Sequence, residues 1–229
     1  MKKILGILSL LVVVAVGTSI LSDVFLDSYN LENLLRRTAL FGIISIGVAF
    51  VIITGGIDLS IGSVICLVGC GLPWMLSEQG VSVPVALVAI FGFSLAVGLI
   101  HGVLITKVKL QPFVVTLCGL LLYRGITRGF TGDQSQGFGT EYKGLRELAT
   151  GEVPILGFDL PMPCIFLLVV AILAGIFLNK TIYGRYLLAL GNNEEAARFS
   201  GINADRMVIL AYVICALCSG LGGLLFVLD

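Results

Sequence analysis

Charge is scarce in this sequence. Only 12% of its 229 residues are Asp, Glu, Lys or Arg, against ~25% in an ordinary soluble domain. Neither sign is in excess, with 14 basic and 14 acidic residues. That balance excludes a basic nucleic-acid binder, so no nucleic-acid partner is expected. Histidine occurs once, as His101, which leaves little for a metal or acid–base cluster. The six cysteines (66, 70, 118, 164, 215 and 218) all lie in apolar stretches. Cys215-x-x-Cys218 has metal-like spacing but no second pair to match it, so the cysteines read as small buried hydrophobes. Hydrophobic residues make up 58% of the chain and the mean hydropathy is +1.08. Disorder and a secreted disulfide scaffold are excluded, and an integral membrane protein is expected.

A membrane helix needs ~20 apolar residues. Seven stretches come close: 4–22, 38–54, 59–76, 84–106, 112–127, 161–178 and 207–228. They are continuously apolar, whereas barrel strands alternate, so helices are expected. The fold class is an all-α, polytopic helix bundle in the membrane. The start Met1-Lys2-Lys3 is also that of a signal peptide, with Ala15-x-Gly17 as a cleavage site, but the apolar run is long for one and a retained helix is expected. Lys2 and Lys3 put the N-terminus in the cytoplasm. Alternation then places 107–111 and 179–206 inside and 23–37, 77–83 and 128–160 outside. Lys and Arg divide eight to six in favour of that orientation. Glycine is abundant, at 29 residues. Gly98-x-x-x-Gly102 and the cluster Ser219, Gly220, Gly222 and Gly223 suit close helix packing in lipid.

Thr54-Gly55-Gly56-Ile57-Asp58-Leu59-Ser60-Ile61-Gly62-Ser63 interrupts the apolar run from 38 to 76. Paired glycines weaken a helix, and Asp58 is expected to cap the helix that restarts. The segment reads either as a turn at the membrane surface or as a broken helix beside a transport pathway, formed by Gly55, Gly56, Asp58, Ser60 and Ser63. His101 reads first as a bond to a neighbouring helix. The stretch 191–202 reads as a short polar helix. Asn192 is its expected N-cap, with Glu195 as capping-box partner. Glu194 and Arg198 form an i,i+4 pair, and Gly201 is the stop. Residues 130–160 form the longest outer stretch, rich in polar residues and glycine.

At these residues the sequence resembles the permease subunits of bacterial ABC importers for sugars of the ribose, xylose and galactoside type. That superfamily is shared with branched-chain amino acid permeases. The resemblance rests on Val51 to Ser63 with its glycine–aspartate signature, on Gln111-Pro112-Phe113-Val114-Val115-Thr116-Leu117 with Tyr123-Arg124-Gly125, and on Tyr183-Gly184-Arg185-Tyr186 followed by 189–202. It implies one permease domain over 1–229, with a cytoplasmic coupling loop at 179–206. Glu194, Glu195, Ala196, Ala197 and Gly201 would meet the ATPase. The implied partners are ATPase subunits, a second permease, identical or not, a periplasmic sugar-binding protein and membrane lipid. The implied location is the bacterial inner membrane. No cofactor is expected in the chain; ATP and Mg would be bound by the ATPase. His101 stands where the family has Asn in Gly-x-x-Asn-Gly, and the family's Leu-Pro is absent after Ile202. Such permeases carry further spans and a glycine-rich block beyond the seventh, so the chain resembles a C-terminally truncated member.

Two other classes fit less well. A secondary transporter or channel usually needs several intramembrane carboxylates, and only Asp58 is near the interior. A membrane enzyme needs a clustered acid–base or metal set. Lys180-Thr181 lacks the glycine of a Walker A loop, so any ATP is hydrolysed elsewhere. Within the importer reading, branched-chain amino acids or another small solute are the alternative cargo.

Overall fold

A computed structural model describes residues 2–139, 141–155 and 158–229. The side chains of residues 2–4, 155 and 158 are not described. The chain falls into two compact units, Met1–Thr38 and Ala39–Asp229. The first holds α1 (Lys2–Leu21) and the start of α2 (Ser28–Ile53). In this unit Arg36 donates to Glu32 one turn earlier, at 2.7 Å.

The second unit carries the rest of α2 and the bundle: α3 (Ile61–Pro73), continued by a π-helical turn (Trp74–Glu78), α4 (Val83–Thr106), α5 (Pro112–Thr131), α7 (Met162–Lys180) and α10 (Ala204–Leu228). Between α5 and α7 lie α6 (Lys143–Thr150) and a hairpin of β1 (Glu152–Ile155) and β2 (Phe158–Pro161); α8 (Ile182–Asn192) and α9 (Glu194–Phe199) join α7 to α10. Among the described residues six helices are long and apolar enough to cross a membrane, and the apolar part of α1, Leu5–Leu21, is shorter. The protein is an all-α bundle, as the continuous apolar runs require.

Helix α10 is the centre of this unit and packs most extensively on α4, then on α3. Glycine makes the α4–α10 seam possible. A Cβ at Gly98 would lie 2.6 Å from the Val213 Cα, and one at Gly102 would lie 2.7 Å from the Ile209 Cα. Gly220 faces Ser94 across the same seam. The two small-residue clusters of the sequence face different neighbours: Gly98 and Gly102 meet Val213 and Ile209 of α10, whereas Gly222 meets Ile44 of α2 and Gly223 meets Ile65 of α3. Val97 of α4 and Ala211, Tyr212 and Ala216 of α10 are buried.

The connections gather at two ends of the bundle. At one, Thr54, Gly55, Gly56, Thr106, Lys109, Pro112, Glu194, Arg198 and Asp205 line one cavity. At the other, the Tyr142 hydroxyl donates to the Leu76 carbonyl at 2.9 Å, and Trp74 meets Phe130 with ring centroids 5.2 Å apart. Within this unit the stretches 107–111 and 179–206 thus meet at the first end, and 77–83 and 128–160 at the second. The outer stretch is not the plain loop that its composition suggests. Helix α6 turns Leu145, Leu148 and Ala149 onto the bundle core, and β1 pairs antiparallel with β2, Val153 opposite Leu160.

The cysteines need a correction. Cys215 is buried, but Cys66 and Cys118 are exposed. Cys118 lies on an outer face of α5 beside exposed Leu117, Leu121 and Leu122, where a small hydrophobe needs no burial to sit among apolar groups. Among the described residues no cluster of three metal-ligating side chains occurs.

Candidate functional site

Helix α2 ends in a two-glycine stop. Gly55 takes φ +75°, which costs glycine little. Its N–H donates to the Ile52 carbonyl at 2.9 Å, and the Gly56 N–H to the Val51 carbonyl at 3.0 Å. This is a Schellman motif, closing the last open carbonyls of α2. Tyr212, fully buried in α10, donates its hydroxyl to the Ile57 carbonyl at 3.0 Å. The break is therefore seated on α10.

Asp58 does not cap α3 directly. Ser60 occupies the N-cap position. One Asp58 carboxylate oxygen accepts from the Ser60 N–H at 2.8 Å and from the Ser60 hydroxyl at 2.6 Å. The reach of two residues is that of an Asx turn, one step ahead of the helix start. Ser63 donates to the Leu120 carbonyl of α5 at 2.9 Å, tying α3 across. The expected pathway residues divide accordingly. Gly55, Gly56, Asp58 and the buried Ser60 shape the connection, whereas the buried Ser63 holds it to α5. His101 is buried, and its Nε2 lies 3.0 Å from the Tyr123 hydroxyl of α5, a bond between neighbouring helices.

The second segment is also displaced by one residue. Helix α8 continues through Asn192, and Asn193 is the residue that leaves helical geometry, at φ −160°. Its side chain accepts from the Ala196 N–H at 2.9 Å. Position N3 is then Ala196, so Glu195 forms no capping box and stands exposed. Gly201 adopts φ +82°. Its N–H donates to Arg198 at 3.0 Å, and that of Ile202 to Ala197 at 3.1 Å, a second Schellman motif. Ala197 is buried among Leu187, Leu190, Ala204 and Met207. Phe199 is 85% exposed at the far end of the helix.

The two segments meet. Thr54, Gly55 and Gly56 share a cavity of about 250 Å³ with Glu194, Arg198, Asp205, Lys109 and Tyr212. Gly191 at the end of α8 lies so close to the Ile53 carbonyl that a Cβ there would collide with it. Arg198 donates to Glu194 at 3.0 Å and to Asp205 at 3.0 Å. Hydrogen bonds to Asp205 and then Glu194 raise the pKa of this guanidinium, so it stays charged.

Comparison with known proteins follows the same ground. Residues 30–229 match the family described as branched-chain amino acid transport system / permease component. The chain is 37% identical over 224 residues to ribose import permease protein RbsC of Bacillus subtilis (strain 168), covering 97% of this chain and 67% of that protein. It is 35% identical to ribose import permease protein RbsC of Escherichia coli (strain K12), at 96% and 67% coverage. It belongs to this permease family. The permease is also 33% identical to galactofuranose transporter permease protein YtfT of Escherichia coli (strain K12), over 86% of this chain and 56% of that protein. No solved structure matches it. The permease spans about two thirds of the length of its ribose relatives. With six membrane-length helices among the described residues it is a multi-pass membrane protein.

Sequence reasoning passed over four residues of the permease site. Lys107 and Lys109 counted only as loop charges, and Asp205 and Tyr212 were not singled out. Asp205 meets Lys107 across a separation of 98 residues, and Tyr212 meets Ile57 across 155. No local spacing signals either. Phe199 was open to detection as an apolar residue closing an otherwise charged short helix.

Proposed function

We propose that this permease forms the translocation pathway of an ATP-binding cassette importer for a small sugar in the bacterial inner membrane, with its N-terminus in the cytoplasm. The sugar is delivered by a periplasmic binding protein. Two permeases pair, and separate ATPase subunits hold ATP and magnesium and hydrolyse the nucleotide. The permease itself is not an enzyme. Support for a sugar comes from the import permeases it is similar to.

One observation carries the assignment of the ATPase side. Helix α9 is fixed at both ends and bonded to α10, yet it presents Glu194, Glu195 and Phe199 outward. An exposed aromatic ring on a rigid short helix supports docking there, since aromatic residues are enriched among the anchors of protein interfaces. The acidic pair disfavours an anionic lipid surface as its partner. Gly55, Gly56, Asp58, Ser60 and Ser63 border the pathway just above it.

The test uses the permease assembled with its ATPase and binding protein in proteoliposomes. ATP-driven uptake of ribose, xylose or fructose, with no uptake of leucine, is expected. Phe199→Ala is expected to weaken ATPase binding at least tenfold, the loss of about 1.4 kcal/mol or more at an aromatic anchor. Uptake that proceeds without ATP, or a preference for leucine, overturns the reading.

A further inference from the structure

Asp205 sits in the first turn of α10, where a helix N-terminus favours negative charge. Its side chain is only 15% exposed, yet three cations converge on it. Lys107, which ends α4, donates at 2.8 Å. Lys109, in the turn before α5 and held at φ +61°, lies 3.7 Å away. Arg198, from α9, donates at 3.0 Å. One carboxylate thus touches the docking helix and the ends of two bundle helices.

We infer that Asp205 is the positioning residue that carries movement of α9 to α4 and α10 together, an inference that rests on the importer reading above. The burial of Ala197 also holds α9, but an apolar contact lets a helix turn about it. A shared carboxylate with donors on three sides fixes orientation as well as distance. Because α4 and α10 are interlocked at Gly98 and Gly102, a displacement delivered at Asp205 moves them as a pair. The cavity beneath, floored by Gly55 and Gly56, changes shape with them. Without Asp205 the three cations would repel one another, and α9 would move independently of the bundle.

The ratio of sugar imported to ATP hydrolysed, in the complete complex, is the readout. It does not depend on how much complex assembles. Asp205→Asn is expected to lower the ratio at least fivefold, and Asp205→Glu to keep it within twofold of the unmodified complex. Arg198→Gln, at a half-exposed position, cuts only the α9 side and is expected to lower the ratio as well. It serves where Asp205→Asn fails to assemble. An unmodified ratio in both Asp205→Asn and Arg198→Gln overturns the inference while leaving the importer reading intact. Equal loss in Asp205→Asn and Asp205→Glu also overturns it, because shape and not charge would then matter. Absence of ATP-driven sugar uptake in the unmodified complex overturns both.

Discussion

Asp58 shows what a single residue reveals before its surroundings are known. An ionisable group within a long apolar run marks a special position by itself, and the paired glycines before it mark a break. What Asp58 does there depends on Ser60, which donates two hydrogen bonds to its carboxylate, and on Tyr212, which arrives from the far end of the chain. Asp58→Asn keeps an acceptor oxygen within reach of Ser60 and removes the charge. Asp58→Ala leaves a buried hydroxyl and an N–H short of a partner, a loss of about 1–3 kcal/mol. We expect Asp58→Asn to retain most sugar uptake at matched membrane expression and Asp58→Ala to lose at least five-sixths of it. Equal loss in both would show that the charge itself serves transport. Normal uptake in both would reduce the segment to a surface turn.

Among the elements, the long helices were plain from their apolar runs, because lipid demands length and continuity. Their partners were not. Gly98 and Gly102 announce a close approach of something, but only the assembled bundle shows that α10 fills the space. The short elements were least legible. Helix α6 has too few residues to signal by periodicity alone, and it is set by the core that its Leu145 and Leu148 cover. The start of α9 differs by one residue from expectation because two consecutive asparagines can each cap, and the backbone leaves the helix only at the second. The α4–α10 seam carries its own prediction. Gly98→Val places a side chain against the Val213 and Tyr212 backbone, which cannot yield as a side-chain tip can, and overpacking costs about 1–3 kcal/mol. Gly92, on the same helix, has open space where a Cβ would go. Thermal unfolding in detergent is therefore expected to show a clear loss for Gly98→Val and almost none for Gly92→Val. Similar losses in both would mean that valine in α4 is itself the burden and that the seam is not tightly closed.

At the scale of the whole molecule the question is which end of the bundle faces the cytoplasm. The bundle separates its connections into one end with Lys107, Lys109, Arg198 and Arg206 and another with α6 and the hairpin. The first set is dense in cations, the pattern expected of a cytoplasmic face. The sidedness rests on that bias and on the basic N-terminus, whereas the separation of the two ends is a matter of geometry. Helix α7 alone runs between β2 and α8, so a membrane-crossing α7 puts the outer stretch and α9 on opposite sides whichever way the protein is inserted. That makes one experiment decisive for both. Ser135 and Ser200 are exposed, one at each end. A cysteine at Ser135 is expected to react with an impermeant maleimide in intact spheroplasts, and one at Ser200 only after the membrane is broken, each read against the unmodified protein. The reverse pattern would turn α9 away from any cytoplasmic ATPase and with it remove Glu194, Glu195 and Phe199 from the docking surface. Labelling of both in intact cells would mean that α7 does not cross the membrane, and the bundle itself would need a different arrangement.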